Sequence, residues 1–339
     1  MILRKKGLGA LALGVSFFAL ASCASAAEKK TVVAGHFPNI THAQALIGRA
    51  DGTFEREMGP DAVIDWKVFN AGPSAVEALF AGKLDITYIG PSPAVNAYVK
   101  SAGEAVRVVS GAASGGAALV VRADAGIEKP EDLRGRKVAS PQLGNTQDVS
   151  LRAWLSKHSM KTKEKGGDVE VLPIGNADQV ALFMKKELDA AWTVEPWVST
   201  LVQTAGGKVL FDEAALWPEG RYSTALILVR RKFLDENPEL VRRFLRAHAR
   251  TTDWIRGNPE EAKRLLGVEI EKLSSKPMPA DLLAEAFGRI EFLTDPIASS
   301  VREQANAAFR AGYLKQEPDL SRLFDLTLLK EVLAESEAK

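Results

Sequence analysis

Asp85-Ile86-Thr87-Tyr88-Ile89-Gly90-Pro91-Ser92-Pro93-Ala94-Val95-Asn96-Ala97-Tyr98 joins a short β-rich run to a helix-like segment through a single turn. In that turn Ser92 is a cap-type residue standing before a proline suited to the first helical position. The same succession recurs along the chain. β-rich runs at residues 31–35, 62–69, 105–110, 117–122, 137–140, 168–172 and 189–194 alternate with helix-like segments, among them the amphipathic 149–156 and 179–186. Such alternation predicts parallel sheets covered by helices, an α/β fold. Thr31-Val32-Val33-Ala34 and Ala118-Leu119-Val120-Val121 are apolar on both faces, as central parallel strands are.

The turns carry further start signals. Thr41-His42-Ala43-Gln44 and Ser74-Ala75-Val76-Glu77 have the form of a capping box, in which the first and fourth residues bond each other's backbone. Asn176-Ala177-Asp178-Gln179 is a looser version, read here as a stabilising cap alone. Glu195-Pro196 sets an acceptor before a proline, and Gly144-Asn145-Thr146-Gln147-Asp148 is a glycine turn followed by a cap. Six helix amino termini thus follow strands directly. In open parallel sheets this rim is where ligands bind, and helix amino termini present N–H groups and positive potential to anions. His36 and His42 fall in the first turn; for His42 a ligand-facing role stands beside a solvated or capping one.

Ser110-Gly111-Ala112-Ala113-Ser114-Gly115-Gly116 precedes a new strand and suits a crossing between domains with freedom to bend. A return crossing is expected near residues 221–230. From Lys232 onward the pattern reads as helices only, with Asn237-Pro238-Glu239 and Asn258-Pro259-Glu260 as repeated starts.

Composition narrows the chemistry. The 339 residues are 46% apolar, enough for two domains with their own cores. Of 44 Lys plus Arg, three (Arg4, Lys5, Lys6) precede the apolar run 7–22, so 41 stand against 43 Asp plus Glu in the rest, with signs well mixed. No nucleic-acid footprint follows from that balance. A basic start, a short apolar core and small residues after it make residues 1–22 a signal peptide, and no later stretch approaches the length of a spanning helix. One cysteine, Cys23, leaves no internal disulfide and no thiolate zinc site, and four scattered histidines suggest no metal centre. Gly-x-Ser-x-Gly, the P-loop and Gly-x-Gly-x-x-Gly do not occur, which tilts the reading away from an enzyme. Asp148 and Glu195 sit in rim turns, where paired carboxylates of a glycosidase could also stand, yet Asp148 equally suits a first helical turn.

Gly90 to Tyr98, Ser140 to Asp148 and Trp192-Thr193-Val194-Glu195-Pro196-Trp197 together resemble the substrate-binding proteins of ABC importers for nitrate, sulfonates and taurine, as do Gly35 to Leu46 and Gly82-Lys83-Leu84-Asp85-Ile86. The resemblance runs from about Thr31 to the last helices. It implies a type II periplasmic-binding-protein fold: two doubly wound lobes joined by a two-strand hinge, lobe one being residues 29–117 and 226–339 and lobe two 118–225. It also implies a monomer without cofactor that captures a small sulfonate-like, taurine-like or other oxyanionic solute between the lobes and delivers it to a membrane permease. Leu20-Ala21-Ser22-Cys23 is similar to a lipobox, which implies an extracytoplasmic protein anchored through acylated Cys23; Ala24-Ser25-Ala26 also has the form of an ordinary cleavage site, which would remove Cys23.

The family's pocket positions fall on Asn39, Thr41 and His42; on Gly72 and Ser74; on Pro91 and Ser92; on Gln142, Asn145, Thr146 and Gln147; and on Glu195 and Trp197, with Ser114 from the hinge. These turns contain no Lys or Arg, so backbone N–H groups, hydroxyls, amides and helix dipoles would hold an oxyanion. Asp148 or Glu195 could meet a ligand ammonium, or Glu195 could brace its own loop; Trp192, Trp197 and Trp217 could shelve an alkyl chain or serve the core. Similar proteins bind thiamine-precursor pyrimidines, a related branch makes such pyrimidines, and a ligand sensor would use the same closure without transport.

Overall fold

The computed structural model describes residues 29–337; the expected signal segment, residues 1–22, and Cys23 lie outside the described residues. A six-stranded sheet has the order β11 (Ile290–Phe292), β4 (Val106–Gly115), β10 (Ser223–Arg230), β3 (Ile86–Ile89), β1 (Lys30–His36), β2 (Ala62–Val68). A five-stranded sheet has the order β7 (Glu170–Pro173), β6 (Lys137–Ser140), β8 (Ala190–Val194), β5 (Ala117–Arg122), β9 (Gly207–Asp212). Helices α1 (Ala43–Ala50), α2 (Thr53–Met58), α3 (Gly72–Phe80) and α4 (Pro91–Lys100) join the strands of the first sheet. Helices α5 (Thr146–Lys157), α6 (Asn176–Met184) and α7 (Trp197–Thr204) serve the second. After β10 come α8 (Arg231–Glu236), α9 (Pro238–Gly257), α10 (Pro259–Ser274) and α11 (Ala280–Gly288), then α12 (Ala298–Arg310) and α13 (Thr327–Glu337), packed on the first sheet and its flank.

All eight β-rich runs of the sequence are strands, and the pairs β1–β2, β1–β3, β6–β7 and β6–β8 are parallel. The sheets are mixed, however, because β10, β11, β8 and β9 bring antiparallel pairs. Two-sided burial follows from the alternation of side chains along a strand. On β10, Ile227 and Val229 enter the core beneath α9, whereas Leu226 and Leu228 enter the core beneath α4 and α12. On β5, Leu119 and Val121 face one core of the second lobe, Ala118 and Val120 the other.

Three expectations change. Residues beyond Lys232 are not helices only: Ile290–Phe292 adds to the edge of β4, a strand too short for any periodic signal. Neither capping box forms, since α1 begins at Ala43 and α3 at Gly72; Gln44 instead donates to Ala112 O and Thr252 Oγ1. α4 begins at Pro91 rather than Pro93, with Gly90 as its cap position. Asn145 does cap α5, its Oδ1 accepting the Asp148 N–H at 3.0 Å.

Two chain crossings join the sheets. Gly115 and Gly116, at φ +83° and +78°, pass the chain from β4 to β5; a Cβ on Gly115 would lie 2.4 Å from Arg289 O, so only glycine fits. The return passes at Tyr222 into β10, which lies wholly in the first sheet. The crossings are stitched together: Tyr222 N–H donates to Ser114 Oγ (3.0 Å), Thr224 Oγ1 donates to Gly115 O (2.7 Å) and Ala117 N–H donates to Tyr222 Oη (3.3 Å). Among the described residues no helix is long and apolar enough to cross a membrane.

Candidate functional site

The carboxyl ends of β1, β2 and β3 in one lobe face those of β6, β7 and β8 in the other. Between them lies a cleft lined by Phe37, Asn39, Thr41, His42, Asn70, Ala71, Gly72, Gly90, Pro93, Asn145, Thr146, Gln147, Asn176, Val194 and Thr224. No lining side chain is Lys, Arg, Asp or Glu. The amino termini of α3, α4, α5 and α6 all open onto it, and each leaves N–H groups without partners inside its own helix. The polar character of the cleft therefore comes from amides, hydroxyls, one imidazole and helix dipoles.

The imidazole of His42 is buried, and its Nδ1 accepts the Phe37 N–H at 3.1 Å, so the proton of the neutral ring is assigned to Nε2. Burial, and then the neighbouring His36, hold the His42 pKa well below the ordinary histidine value. It stays neutral at physiological pH and acts as a hydrogen-bonding group, not as a cation.

The lobes meet closely. Ile40 N–H donates to Glu195 O at 3.1 Å, Trp197 Nε1–H to Asn39 Oδ1 at 3.1 Å, and Ser92 N–H to Thr146 Oγ1 at 3.3 Å. A Cβ on Gly90 would lie 2.3 Å from Thr146 Oγ1, so this approach of the two lobes requires glycine. What remains of the cleft is a cavity of about 20 Å3. That is room for one water. The cleft as it stands has no room for anything larger.

Seven of the fourteen residues assigned from sequence meet in the cleft: Asn39, Thr41, His42, Gly72, Asn145, Thr146 and Gln147. The other seven stand elsewhere. Ser74 and Gln142 touch each other across the lobes at 3.4–3.5 Å outside the lining, and Pro91 is buried at the start of α4 while Pro93 takes the wall position. Ser92 lines a second cavity on the other side of the Thr146 contact. Ser114 Oγ serves the crossing, and Trp197 is core, reaching the site only through its bond to Asn39.

The two rim carboxylates do not line the cleft. Glu195 is fully buried and accepts from Ser199 N–H (3.1 Å) and Ser199 Oγ–H (2.9 Å), with Arg289 Nε at 3.5 Å. It braces its own helix start, and burial pushes its pKa up to about 7 against the Ser199 bonds and the arginine. Asp148 accepts from Ser140 Oγ–H (2.8 Å), Gly144 N–H (2.8 Å), Arg152 Nε–H (3.0 Å) and the Tyr313 hydroxyl. Both are fully buried and neither lines the cleft in this arrangement.

Sequence reasoning missed Phe37, Asn70, Ala71, Gly90, Pro93, Asn176, Val194 and Thr224. Asn176 was read as a cap alone, whereas α6 starts at Asn176 itself with Gly175 before it, and the side chain accepts from Thr193 Oγ1 at 2.9 Å while facing the cleft. Its position directly after β7 was the available signal. Thr224 comes from an antiparallel strand at the return crossing, where no strand-to-helix turn marks it.

The sequence matches the NMT1-like family over residues 25–268. The taurine-binding periplasmic protein of Escherichia coli (strain K12) is 31% identical over 216 residues; the match spans 64% of this chain and 64% of that protein. A putative aliphatic sulfonates-binding protein of Bacillus subtilis is 27% identical over 86% of this chain and 85% of its own length. The crystal structure of the periplasmic aliphatic sulphonate binding protein from Escherichia coli superposes with a TM-score of 0.69 at 21% identity, covering 88% of this chain and 98% of that one, which shows the two-lobed periplasmic-binding fold. With nearly three quarters of its length matched, from before β1 into α10, the chain belongs to the NMT1-like family.

Proposed function

We propose that this protein is the extracytoplasmic solute-binding component of an ABC importer, and that its solute is a small sulfonate or a related oxyanion held between the lobes. The observation that carries the reading is the cleft itself: four helix amino termini and a set of amides and hydroxyls converge there without one charged side chain. Fixed N–H and amide donors can desolvate and hold a sulfonate because they need little reorganisation when it arrives. The taurine-binding and sulfonate-binding relatives agree with that chemistry. For a zwitterion such as taurine, the ammonium would be met by carbonyl and amide oxygens, since neither Glu195 nor Asp148 lines the cleft.

The moving units in this reading are the two sheets with their helices: residues 29–115 with 223–337, and residues 117–213. Closure brings Thr146 against Gly90 and Ser92 and presents both lobes to a permease. The protein acts as a monomer, outside the cytoplasm, tethered through Cys23 after signal cleavage.

Calorimetric titration with taurine, ethanesulfonate, sulfate and nitrate tests the ligand. At least one sulfonate should bind with 1:1 stoichiometry, and a solute at 100 times its Kd should add about 2.7 kcal/mol to stability. Thr146→Leu places a branched apolar side chain where the lobes meet, so it should weaken that solute more than 100-fold while leaving the melting temperature within a few degrees. Absence of binding by every sulfonate would overturn the proposal, and wild-type affinity in Thr146→Leu would remove the α5 turn from the site.

A further inference from the structure

Four side chains of the cleft spend their acceptor on the protein and keep a donor. Asn39 Oδ1 accepts the Trp197 Nε1–H and His42 Nδ1 accepts the Phe37 N–H, both at 3.1 Å. An indole and a backbone amide can only donate, so each bond fixes which end of its partner is turned to the protein. The free ends are Asn39 Nδ2–H2 and His42 Nε2–H. Across the cleft, Asn145 Oδ1 takes the Asp148 N–H at 3.0 Å. The Asn145 amide nitrogen is thereby a fixed donor, given to Gln147 Oε1 at 3.3 Å, and Gln147 keeps Nε2–H2. Asn176 Oδ1 accepts from Thr193 Oγ1 at 2.9 Å and keeps Nδ2–H2.

These four residues are 2% to 9% exposed. Their free N–H groups are nevertheless reachable, unlike Ser92 Oγ and Gln44 Oε1, which are sealed inside the protein. The space they border is the cleft. The amino termini of α3, α4, α5 and α6 add further N–H groups and positive potential. Thr224 is the counter-example, because its proton goes to Gly115 O at 2.7 Å and it turns lone pairs to the cleft. Asn70, also on the lining, is exposed at the rim and fixed by no such bond. One buried hydroxyl is no seat for an ammonium, which has three N–H groups to place.

We infer that the cleft selects a fully deprotonated oxyanion whose carbon body carries no ammonium, an alkanesulfonate rather than a taurine-type zwitterion, with Asn39, His42, Gln147 and Asn176 as the selecting residues. This rests on the reading of the cleft as the solute site and narrows its ligand. A sulfonate has three acceptor oxygens and no donor, so each free N–H finds a lone pair. The ammonium of taurine would lose water among donors and helix amino termini, and would find little beyond Thr224 and oxygens that already accept a bond.

Propane-1-sulfonate and taurine differ by a methyl in place of the ammonium, so the pair isolates the preference. In calorimetric titration of the wild-type protein, propane-1-sulfonate should have a Kd roughly tenfold or more below that of taurine. Gln147→Glu keeps an oxygen for Asn145 and replaces the free donor by a second oxygen. It should weaken propane-1-sulfonate roughly tenfold or more and taurine less, so that the ratio between them falls. Gln147→Met removes the donor without adding charge, and should weaken both solutes about fivefold. Circular dichroism melting identifies a variant that fails to fold, in which case the other carries the test. Taurine binding as tightly as propane-1-sulfonate, or wild-type affinities in the folded Gln147 variants, overturns the inference and leaves sulfonate capture standing. Binding of nitrate or sulfate by a protein that takes neither sulfonate overturns sulfonate capture and supports the selection for donor-free oxyanions. No binding of any of the four overturns both.

Discussion

In the first lobe α3 runs into a left-handed turn at Gly82 and then β3; in the second, α6 runs into a left-handed turn at Lys186 and then β8. The backbone bonds correspond one to one. Gly82 N–H donates to Leu79 O and Lys83 N–H to Ala78 O, just as Lys186 N–H donates to Phe183 O and Glu187 N–H to Leu182 O. Asp85 N–H donates to Val33 O and its Oδ2 accepts the Val33 N–H, while Asp189 does the same with Lys137. Arg230 and Arg122 each donate a backbone N–H to the aspartate carbonyl of their lobe. At the other ends of the same helices the likeness stops: α3 opens on the cleft with Gly72, which has no side chain, and α6 with Asn176, which has an amide. The ends remote from the cleft hold parallel strands in register, a task any α/β lobe has. The ends at the cleft are free to differ, and they carry the chemistry.

The bracing aspartates also differ in strength, and that gives the largest expected effect. Asp85 Oδ1 meets the Arg230 guanidinium at 2.5 Å, with side-chain exposures of 10% and 22%. Asp189 meets Arg122 and Arg136 only at 3.8 Å and is 19% exposed. Asp85→Ala leaves an arginine and the Val33 N–H without partners in a partly buried place and should cost about 3 kcal/mol. Asp189→Ala should cost about 1 kcal/mol, because water replaces the weaker contacts. Urea midpoints of the two variants measure the contrast; equal losses would show that the two lobes depend on the brace to the same degree.

Strand runs were legible because they record local burial on both faces, and the eight of them gave the fold. Helix starts were read less well: Pro91 and Gly72 open α4 and α3 ahead of the polar residues Ser92 and Ser74, which suit a cap by type. The site was half legible, for a physical reason. Turn residues are local, but whether a side chain is free depends on distant partners. Asp148 looks available until Tyr313, 165 residues away, donates to it, and Glu195 until Arg289 arrives from α11's end. The second cavity had no sequence signal at all, since it is built from α5, α12 and residues 213–221, which meet only in space.

The lobes also treat buried carboxylates differently. Asp85 faces a guanidinium, whereas Glu213 in the second lobe is 1% exposed and faces only neutral donors, Trp192 Nε1–H at 2.7 Å and Ser150 Oγ–H at 2.8 Å. Burial pushes the Glu213 pKa up to about 7, opposed by those two bonds. A carboxyl raised in the folded state favours folding fully below its unfolded value near 4.5, and that contribution is lost as pH rises from there through about 7. Between pH 5 and pH 8 the charge on Glu213 should therefore cost about 2 kcal/mol. Glu213→Gln keeps an acceptor for Trp192 and cannot ionise, so its stability should fall by about that much less over the same interval. Urea unfolding at the two pH values decides it; parallel pH profiles would mean that the lobe relaxes to solvate the charge.

The smallest effect separates the two turns themselves. Gly82 and Lys186 occupy the same left-handed conformation, at φ +66° and +60°, but only glycine adopts it without crowding between Cβ and the following carbonyl. Gly82→Lys should lose about 1 kcal/mol. Lys186→Gly should gain less, about 0.5 kcal/mol, because glycine also adds freedom to the unfolded chain and because the exposed contact of Lys186 with Asp124 at 2.6 Å disappears. The two substitutions should move the urea midpoint in opposite directions without altering solute affinity, since both turns lie at the helix ends remote from the cleft. A loss of affinity in either would mean that the remote ends are coupled to closure, and the division between a repeated scaffold and a divergent site would have to be redrawn.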